Sequence, residues 1–450
     1  VLDLTPLITT VAGPVLTPSD GGFAEEVSGY NLAITHRPDV VVGVTSAEDA
    51  GAAVRFAADN GLRVTVLATG HGSHAAVEGG MLITTRRLDA LHIDQDARIA
   101  TIGAGLSWAP VVAAAAELGL APITGSSATV GVVGYLLGGG LGPLARSHGF
   151  SSDYIRAFTV ITPSGELVEA SAEQNADLFW ALRGGKGGFG LVIEVRLELV
   201  PLASLYAGAL VFAEEHIETA VRAWLDYTLT AQDDVTTSVA IIRFPPIELV
   251  PEPFRGRTLA MVRFAYPGDS ATGEGLVAPL RGAAPVYLDG VREMSPADVA
   301  LIHSDPPGPA PSWNTGLLLN QLDQDFLNVY LGFVGSGAQT PVLAAELRHL
   351  GGATGRDVAG GSAVGGRDAA YSLVLIGAPD PSLFAEVLPA ATGALIGAVQ
   401  RWVAPLTNIN FSSGAEYFDR AWPASTFERL AGIRASLDPD GVFAFGPHSS

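Results

Sequence analysis

The chain has 450 residues, 25 Lys and Arg against 46 Asp and Glu for a net charge of −21, no cysteine, and a mean hydropathy of +0.33. The missing thiols exclude disulfides, cysteine-based zinc or iron–sulfur sites, a catalytic cysteine and a cysteinyl cofactor link. The acidity and the lack of a basic block argue against a nucleic-acid or anionic-membrane partner. At roughly 150 residues per domain the length implies two or three domains. The longest uncharged run, from Leu118 to Ala145, is broken by glycines and Pro143, as expected of buried loop rather than a membrane span. Val1 to Pro6 carries neither the basic nor the apolar region of a signal peptide, and the expected location is cytoplasmic.

In chain order, a β-rich run at residues 40–44 predicts a strand. A Thr45-x-x-Glu48 capping box then opens a helix through about residue 60, closed by Gly61. A strand at 64–67 runs into Thr69-Gly70-His71-Gly72-Ser73, a glycine-flanked turn whose bare N–H groups can face an anion. Strands are predicted at 81–84, 91–94 and 98–102, followed by an alanine-rich helix over 108–118 that Gly119 stops. Beyond the glycine-dense loop come strands at 158–162 and 167–170, a helix at 177–182, a second glycine run, and an alternating strand at 191–199. From about 201 to 403 the pattern changes to separated strands (258–266, 326–333, 370–376) and helices (216–227, 383–399). This reads as an antiparallel sheet with helices on one face. The Pro-rich insert 304–311 is too short for a linker and reads as a loop over a pocket.

Three glycine clusters, at 69–72, 131–142 and 184–190, sit between predicted strands or at helix starts, as a dinucleotide pyrophosphate would use them. None is a Walker loop or a Rossmann G-x-G-x-x-G followed by an acid. The ordered set Thr69-Gly-His-Gly72, Gly125-Ser-Ser-Ala-Thr-Val-Gly-Val-Val-Gly-Tyr-Leu-Leu-Gly-Gly-Gly-Leu-Gly142, Phe179-Trp-Ala-Leu-Arg-Gly-Gly-Lys-Gly-Gly-Phe-Gly-Leu-Val192, Asn408-Ile-Asn-Phe411 and Leu437-Asp-Pro-Asp-Gly-Val-Phe443 resembles the flavin-linked oxidases of the berberine bridge enzyme and 6-hydroxynicotine oxidase type, in the vanillyl-alcohol oxidase-like superfamily. The likeness spans about 39–200 and 402–445, and the middle only loosely.

That resemblance implies an α+β fold: a split FAD-binding domain of two α+β subdomains (1–200 and 404–450) and a substrate domain (201–403) with an antiparallel sheet covered by helices. It implies FAD linked covalently through His71, with the backbone of Ala68, Thr69, Gly70, Gly72 and Ser73 on the pyrophosphate. Gly125, Ser126, Ser127, Gly131, Gly134 and Gly139 would line the ring and ribityl chain, Val192 would meet the adenine side through its backbone, and Asn408 and Asn410 would approach from the C-terminal segment. Ser127 stands where many relatives carry a second, cysteinyl tether, so a single link is expected. Val130 stands where relatives gate oxygen and valine is permissive, Gly188 where they often carry Asn, and His74 is a rival to His71 that the motif register disfavours. Catalytic candidates are Tyr135, Asn410 and Tyr371. For a base, relatives use a carboxylate or tyrosine on a substrate-domain strand that 360–368 resembles, but residues 361–365 hold neither Glu nor Asp, leaving Tyr371, Arg367, Tyr417 and His303. Trp313, Phe326 and Tyr330 are candidates for an apolar pocket. The implied activity is hydride transfer from a C–H bond of a small organic substrate (an amine, alcohol or natural-product intermediate) to flavin N5 with O2 as acceptor. A redox-neutral cyclase or lyase and a non-enzymatic flavin-binding protein are the alternatives. Expected partners are substrate and O2, with no metal, nucleic acid or membrane, in a monomer or homodimer.

Overall fold

A computed structural model describes residues 2–412 and 418–444. Its first sheet has four strands in the order Val15–Leu16, Val40–Gly43, Met81–Thr84, Val64–Leu67, the last three parallel. Val40–Gly43 and Met81–Thr84 are buried throughout, as unbroken apolar runs in a covered parallel sheet should be. The helix Ala47–Asp59 is capped by Ser46, whose hydroxyl accepts from Asp49 N. The expected Thr45/Glu48 box is therefore displaced by one residue. Asp49 is the acid that turns inward, and its carboxylate accepts from Thr45 N (2.9 Å), Thr45 Oγ1 (2.7 Å) and Ala12 N (2.9 Å).

The second sheet is antiparallel, in the order Leu91–Asp94, Ile99–Gly103, Leu191–Glu198, Ile155–Ile161, Leu167–Ser171. Trp108, Phe158, Phe179 and Val195 share its core. The C-terminal chain returns to the first sheet. Asp438 accepts from the N–H groups of Val442 and Phe443, and Val64 N donates to Val442 O (2.7 Å), so the Leu437–Phe443 motif is a turn that adds an edge contact to the strand before His71.

The third sheet is antiparallel, in the order Val286–Asp289, Leu205–Phe212, Thr258–Tyr266, Thr236–Arg243, Val342–His349, Tyr371–Gly377, Asn314–Leu319, with Arg292–Met294 also on Leu205–Phe212. Helices Ile217–Thr228, Ser270–Arg281, Gln324–Val334 and Val387–Ala398 cover one face over Trp224, Phe264 and Leu373. Ala207 and Ala265 on the other face pack into the core of the second sheet. The strand expected at 326–333 is instead the helix Gln324–Val334. Asp323 accepts from Phe326 N (2.8 Å), and Phe326, Leu327, Tyr330 and Val334 form one buried stripe with helical spacing. Phe326 and Tyr330, stacked one turn apart at 5.7 Å, are therefore core beneath the sheet and not a substrate wall. Among the described residues no helix is long and apolar enough to cross a membrane.

Candidate functional site

The strand Val64–Leu67 ends in the glycine turn. Gly70 has φ +77° and its backbone lies so close to Gly29 that a Cβ would come within 2.7 Å of Gly29 Cα, which makes glycine obligatory there. Among the described residues the backbone N–H groups of Gly70, His71 and Gly72 meet no acceptor. A Cβ at Gly72 or Gly134 would touch nothing within 4 Å, so both glycines border open space. His71 Nδ1 is 3.0 Å from Thr69 Oγ1, Nε2 is 3.2 Å from Thr129 Oγ1, and the Tyr30 ring stacks on the imidazole at 3.6 Å. Burial pushes the His71 pKa down to about 4 against a weaker opposite pull from Asp305. The ring is neutral at pH 7, with a lone pair available as nucleophile. Thr129 Oγ1 is also 3.2 Å from Ser127 Oγ, so one threonine bridges His71 and Ser127. His74 stands apart, toward the Lys186 ammonium.

The 125–142 segment closes over the turn. Gly131 N donates to Thr69 Oγ1 (3.2 Å), and the Val130 carbonyl accepts from Trp108 N (3.1 Å) while its half-buried side chain packs on the second-sheet core. Tyr135 lies beneath Gly125 and Gly140, edge-on to Trp108, its hydroxyl 3.5 Å from Ser151 Oγ. Burial raises its pKa to about 12, so it can donate a hydrogen bond but cannot serve as a base. Gly139, at φ +93°, abuts Val364 and Phe150. Val192 is buried just before a bulge in the pairing with Ile155–Ile161.

Asn410 presses on Gly138, where a Cβ would overlap its Oδ1. It donates from Nδ2 to Tyr135 O (2.8 Å), accepts from Lys186 Nζ at Oδ1 (2.7 Å), and is steadied by Asn408 Oδ1 on its backbone N–H (2.9 Å). Lys186 also reaches Gly134 O (3.3 Å), sits at φ +65°, and has its pKa lowered to about 8 by burial. The sequence reading passed over it; its signal was a lone charge inside a glycine run.

The third sheet presents a second group of side chains to these loops. On Val342–His349, Ala345 and Leu347 enter the core under the helices, so by strand alternation Glu346 and Arg348 point the other way. Glu346 accepts from Arg263 Nη1 (2.7 Å) and Ser238 Oγ (2.8 Å) at Oε1, and from Arg348 Nε (2.9 Å) at Oε2. Burial alone would raise its pKa, but the Arg348 and Arg263 guanidiniums overcome that and hold it well below the usual carboxylate range. Arg348 lies over the Phe411 ring at 4.7 Å and acts electrostatically on Tyr135, which puts it beside the flavin-motif loops. Residues 360–368 supply no carboxylate on a strand; the buried strand carboxylate on this face is Glu346, flanked by Arg263 and Arg348, none of them a candidate from the sequence.

Two candidates for the base are placed elsewhere. Tyr371 is buried on the helix side of its strand, hydroxyl 2.7 Å from Thr228 Oγ1, because its register puts it in phase with Leu373 and Leu375; it does not face the groove. Arg367 is a strut, paired with Asp153 (2.6 Å) and bonded to Ser362 Oγ (3.0 Å). Ser126 donates to Asp305 (3.0 Å). Tyr417 lies outside the described residues. The Pro-rich insert does cover the site: Tyr30 OH donates to Pro306 O (2.8 Å) and Leu32 N to Ala310 O (3.1 Å), strapping the insert to the segment stacked on His71.

Residues 38–171 match the family described as FAD binding domain. Over 304 residues the chain is 31% identical to (R)-6-hydroxynicotine oxidase of Paenarthrobacter nicotinovorans, a match covering 67% of this chain and 64% of that protein, just under two thirds of its length. Residues 38–171 thus carry an FAD binding domain, and the chain is similar to FAD-linked oxidoreductases. The likeness in fold runs through the whole chain. The crystal structure of 6-hydroxy-D-nicotine oxidase from Arthrobacter nicotinovorans superposes with a TM-score of 0.83 at 24% identity, covering 100% of both chains. The glucooligosaccharide oxidase of Acremonium strictum, whose FAD is described as 6-S-cysteinyl and 8α-N1-histidyl, superposes at 0.78 with 19% identity, covering 97% and 98%. The residues around the turn fit FAD. Three unpaired N–H groups at a glycine turn suit a pyrophosphate, and glycines with open space opposite them leave room for a flat ring.

Proposed function

We propose that the protein is an FAD-dependent oxidase that takes hydride from a C–H bond of a small organic substrate and passes the electrons to O2, with FAD attached once, through His71. Residues 1–200 and 404–450 hold the cofactor, residues 201–403 supply the sheet that covers it, and substrate binds between. The observation that carries this reading is His71 itself, a neutral imidazole held between Thr69 and Thr129 in the glycine turn, one threonine from Ser127.

When bound, the flavin supplies the hydride acceptor and the exchange of electrons with O2. The chain orients. The N–H groups of 70–72 hold the pyrophosphate, and Asn410 and Lys186 present an amide and a cation at the Gly134 edge of the groove. Ser127 lacks the thiol of a second tether, which supports a single link where the Acremonium oxidase has two. Val130, small and β-branched, leaves room for O2. Glu346, with Arg263 and Ser238 on one oxygen and Arg348 on the other, is engaged and too acidic to be a strong base. It is a positioning residue, and the substrate best suited is a neutral amine or an alcohol that releases hydride without a strong base.

Acid-precipitated protein should retain flavin fluorescence, and one peptide containing His71 should carry the mass of FAD. His71→Ala should abolish both while leaving the secondary-structure spectrum unchanged. Anaerobic substrate should bleach the flavin, and readmitted O2 should restore it with one hydrogen peroxide per turnover. Turnover without bleaching would replace this reading with redox-neutral chemistry, and protein that never holds flavin would overturn it.

A further inference from the structure

The buried face of the third sheet carries more positive than negative charge. Arg263, Arg348 and Glu346 give a net +1, with side chains only 6%, 13% and 9% exposed. The fourth titratable member, His303, is 6% exposed, and its Nε2 lies 3.3 Å from Glu346 Oε1 without the alignment of a hydrogen bond. Burial, then the neighbouring Arg263, push its pKa down, so it adds no charge at neutral pH. Nδ1 of His303 and Nε of Arg263 are buried without hydrogen-bond partners, and His303 Nε2 has only the Glu346 carboxylate beside it. Behind this group, His349 is kept neutral by burial and by Arg146, while Arg146 bonds Val235 O (2.9 Å) and Leu350 O and pairs with Asp233 (3.4 Å) at the surface. The charged groups that act on Glu346 and His303 are Arg263, Arg348 and each other, and Asp233 and Asp234 act on Arg146 behind them. A small cavity opens here between Arg263 and Arg348 on the sheet, His303 at the end of the short helix Pro296–Ile302, and Leu141 and Pro143 of the glycine-rich loop.

An uncompensated buried cation with unpaired donors is costly unless an anion completes it. The face bearing it is the one whose Arg348 reaches Phe411 and Tyr135. We infer that this cavity recognises a carboxylate on the substrate, held by Arg348, Arg263 and His303, which anchors the molecule so that a distal C–H bond lies over the flavin groove. A carboxylate suits the site better than a phosphate: one negative charge matches net +1, and planar guanidinium N–H groups match a planar two-oxygen acceptor. The inference rests on the flavin-site reading above.

The test uses flavin-loaded protein, so flavin content is measured first. Its absence defeats the flavin reading, whereas loaded protein without anion preference defeats only this inference. Acetate, benzoate and phenylacetate are titrated against acetamide, benzamide and phenylacetamide in chloride-free buffer, following perturbation of the flavin absorption spectrum. At least one acid should bind about tenfold or more tightly than its amide, the worth of one charge-assisted contact. Arg348→Gln should erase the preference and Arg348→Lys should keep part of it, with flavin content and circular dichroism reporting that each variant is folded. Equal binding of acid and amide, no binding by any acid, or an unchanged preference in Arg348→Gln would overturn the inference. So would an equal perturbation by chloride or sulfate at the same concentration, which would make the cavity a general counter-ion site.

Discussion

Glu346→Gln keeps the shape of the side chain at the centre of the arginine cluster and removes its charge. Glu346 and Arg263 are both under 10% exposed and 2.7 Å apart, and Arg348 is bonded to the other oxygen at 2.8 Å. The variant therefore strands two guanidiniums in a site with little water. Breaking a buried pair from one side costs about 3–5 kcal/mol, two to three and a half powers of ten in the folding equilibrium. Removing Arg263 as well should return part of that loss, because the second substitution deletes a charge the first left stranded. The double variant Arg263→Met/Glu346→Gln should then be less destabilised than the sum of the singles by about 1–3 kcal/mol. The pH dependence has a definite sign. The folded pKa lies below the ordinary value of 4.5, so the contribution of Glu346 is complete above about pH 4.5 and fades as pH falls toward the depressed folded value. Wild type and Glu346→Gln should converge in stability on acidification below pH 4.5. Denaturant midpoints followed by near-ultraviolet circular dichroism, at matched slopes, measure this. A shift under about 0.5 kcal/mol at pH 7, or strict additivity in the double variant, would refute the stranded-charge argument.

Covalent flavin incorporation into protein made without riboflavin should run at a constant rate above about pH 5 and fall away with a midpoint near 4, where His71 protonates; a midpoint near 6.5 would mean that the ring is not desolvated. Lys186→Gly should raise the stability of flavin-free protein at pH 7 by about 1–2 kcal/mol, relieving a non-glycine left-handed backbone and a desolvated ammonium. Because the folded pKa of Lys186 is depressed, its charged form opposes folding below about 8, and the gain should shrink between pH 8 and 10.5. Gly138→Ala should displace Asn410 from Tyr135 O and Lys186, slowing covalent flavin incorporation into flavin-free protein severalfold; an unchanged rate would remove Asn410 from the cofactor site.

The N-terminal half was legible because its signals are local. Val40–Gly43, Val64–Leu67 and Met81–Thr84 are unbroken apolar runs, and Gly70 is required by contact with Gly29, so pattern and conformation coincide in the letters. The covering sheet was legible as a class but not in its working residues. Gln324–Val334 carries enough large apolar residues to mimic an alternating strand, and only the Asp323 cap and the Phe326–Tyr330 spacing reveal a helix. Glu346 and Arg348 look like ordinary charges at alternate positions of a strand. What makes them unusual is pairing with Arg263 from a strand more than eighty residues earlier and burial against loops from the other end of the chain, and neither is encoded locally. Tyr371 failed for the complementary reason: a one-residue difference in phase decides between the groove and the helix side.

The absence of cysteine gains a physical consequence from the geometry around His71. Ser127 Oγ and His71 Nε2 both lie 3.2 Å from Thr129 Oγ1, so the residue standing where relatives carry a second tether is one hydroxyl away from the proposed first. In its place, non-covalent contacts fix that edge: Tyr30 is stacked on the imidazole, and Ser126 holds Asp305 of the strap that crosses above. In the presence of O2, which takes up the two electrons and two protons released when a ring C–H and the thiol S–H give a C–S bond, Ser127→Cys should add a second link, but slowly. The neighbouring imidazole is neutral above about pH 4 and cannot stabilise a thiolate, so the thiol should keep its ordinary value of roughly 8.5 or above. Formation of the link, followed by loss of free-thiol titre and by the mass of a cross-linked peptide joining His71 and residue 127 through FAD, should accelerate about tenfold per pH unit between pH 6 and 8. A rate independent of pH over that range would show a thiolate already stabilised at pH 6, and hence a positive charge beside His71 that contradicts the neutral imidazole on which the single-link reading rests.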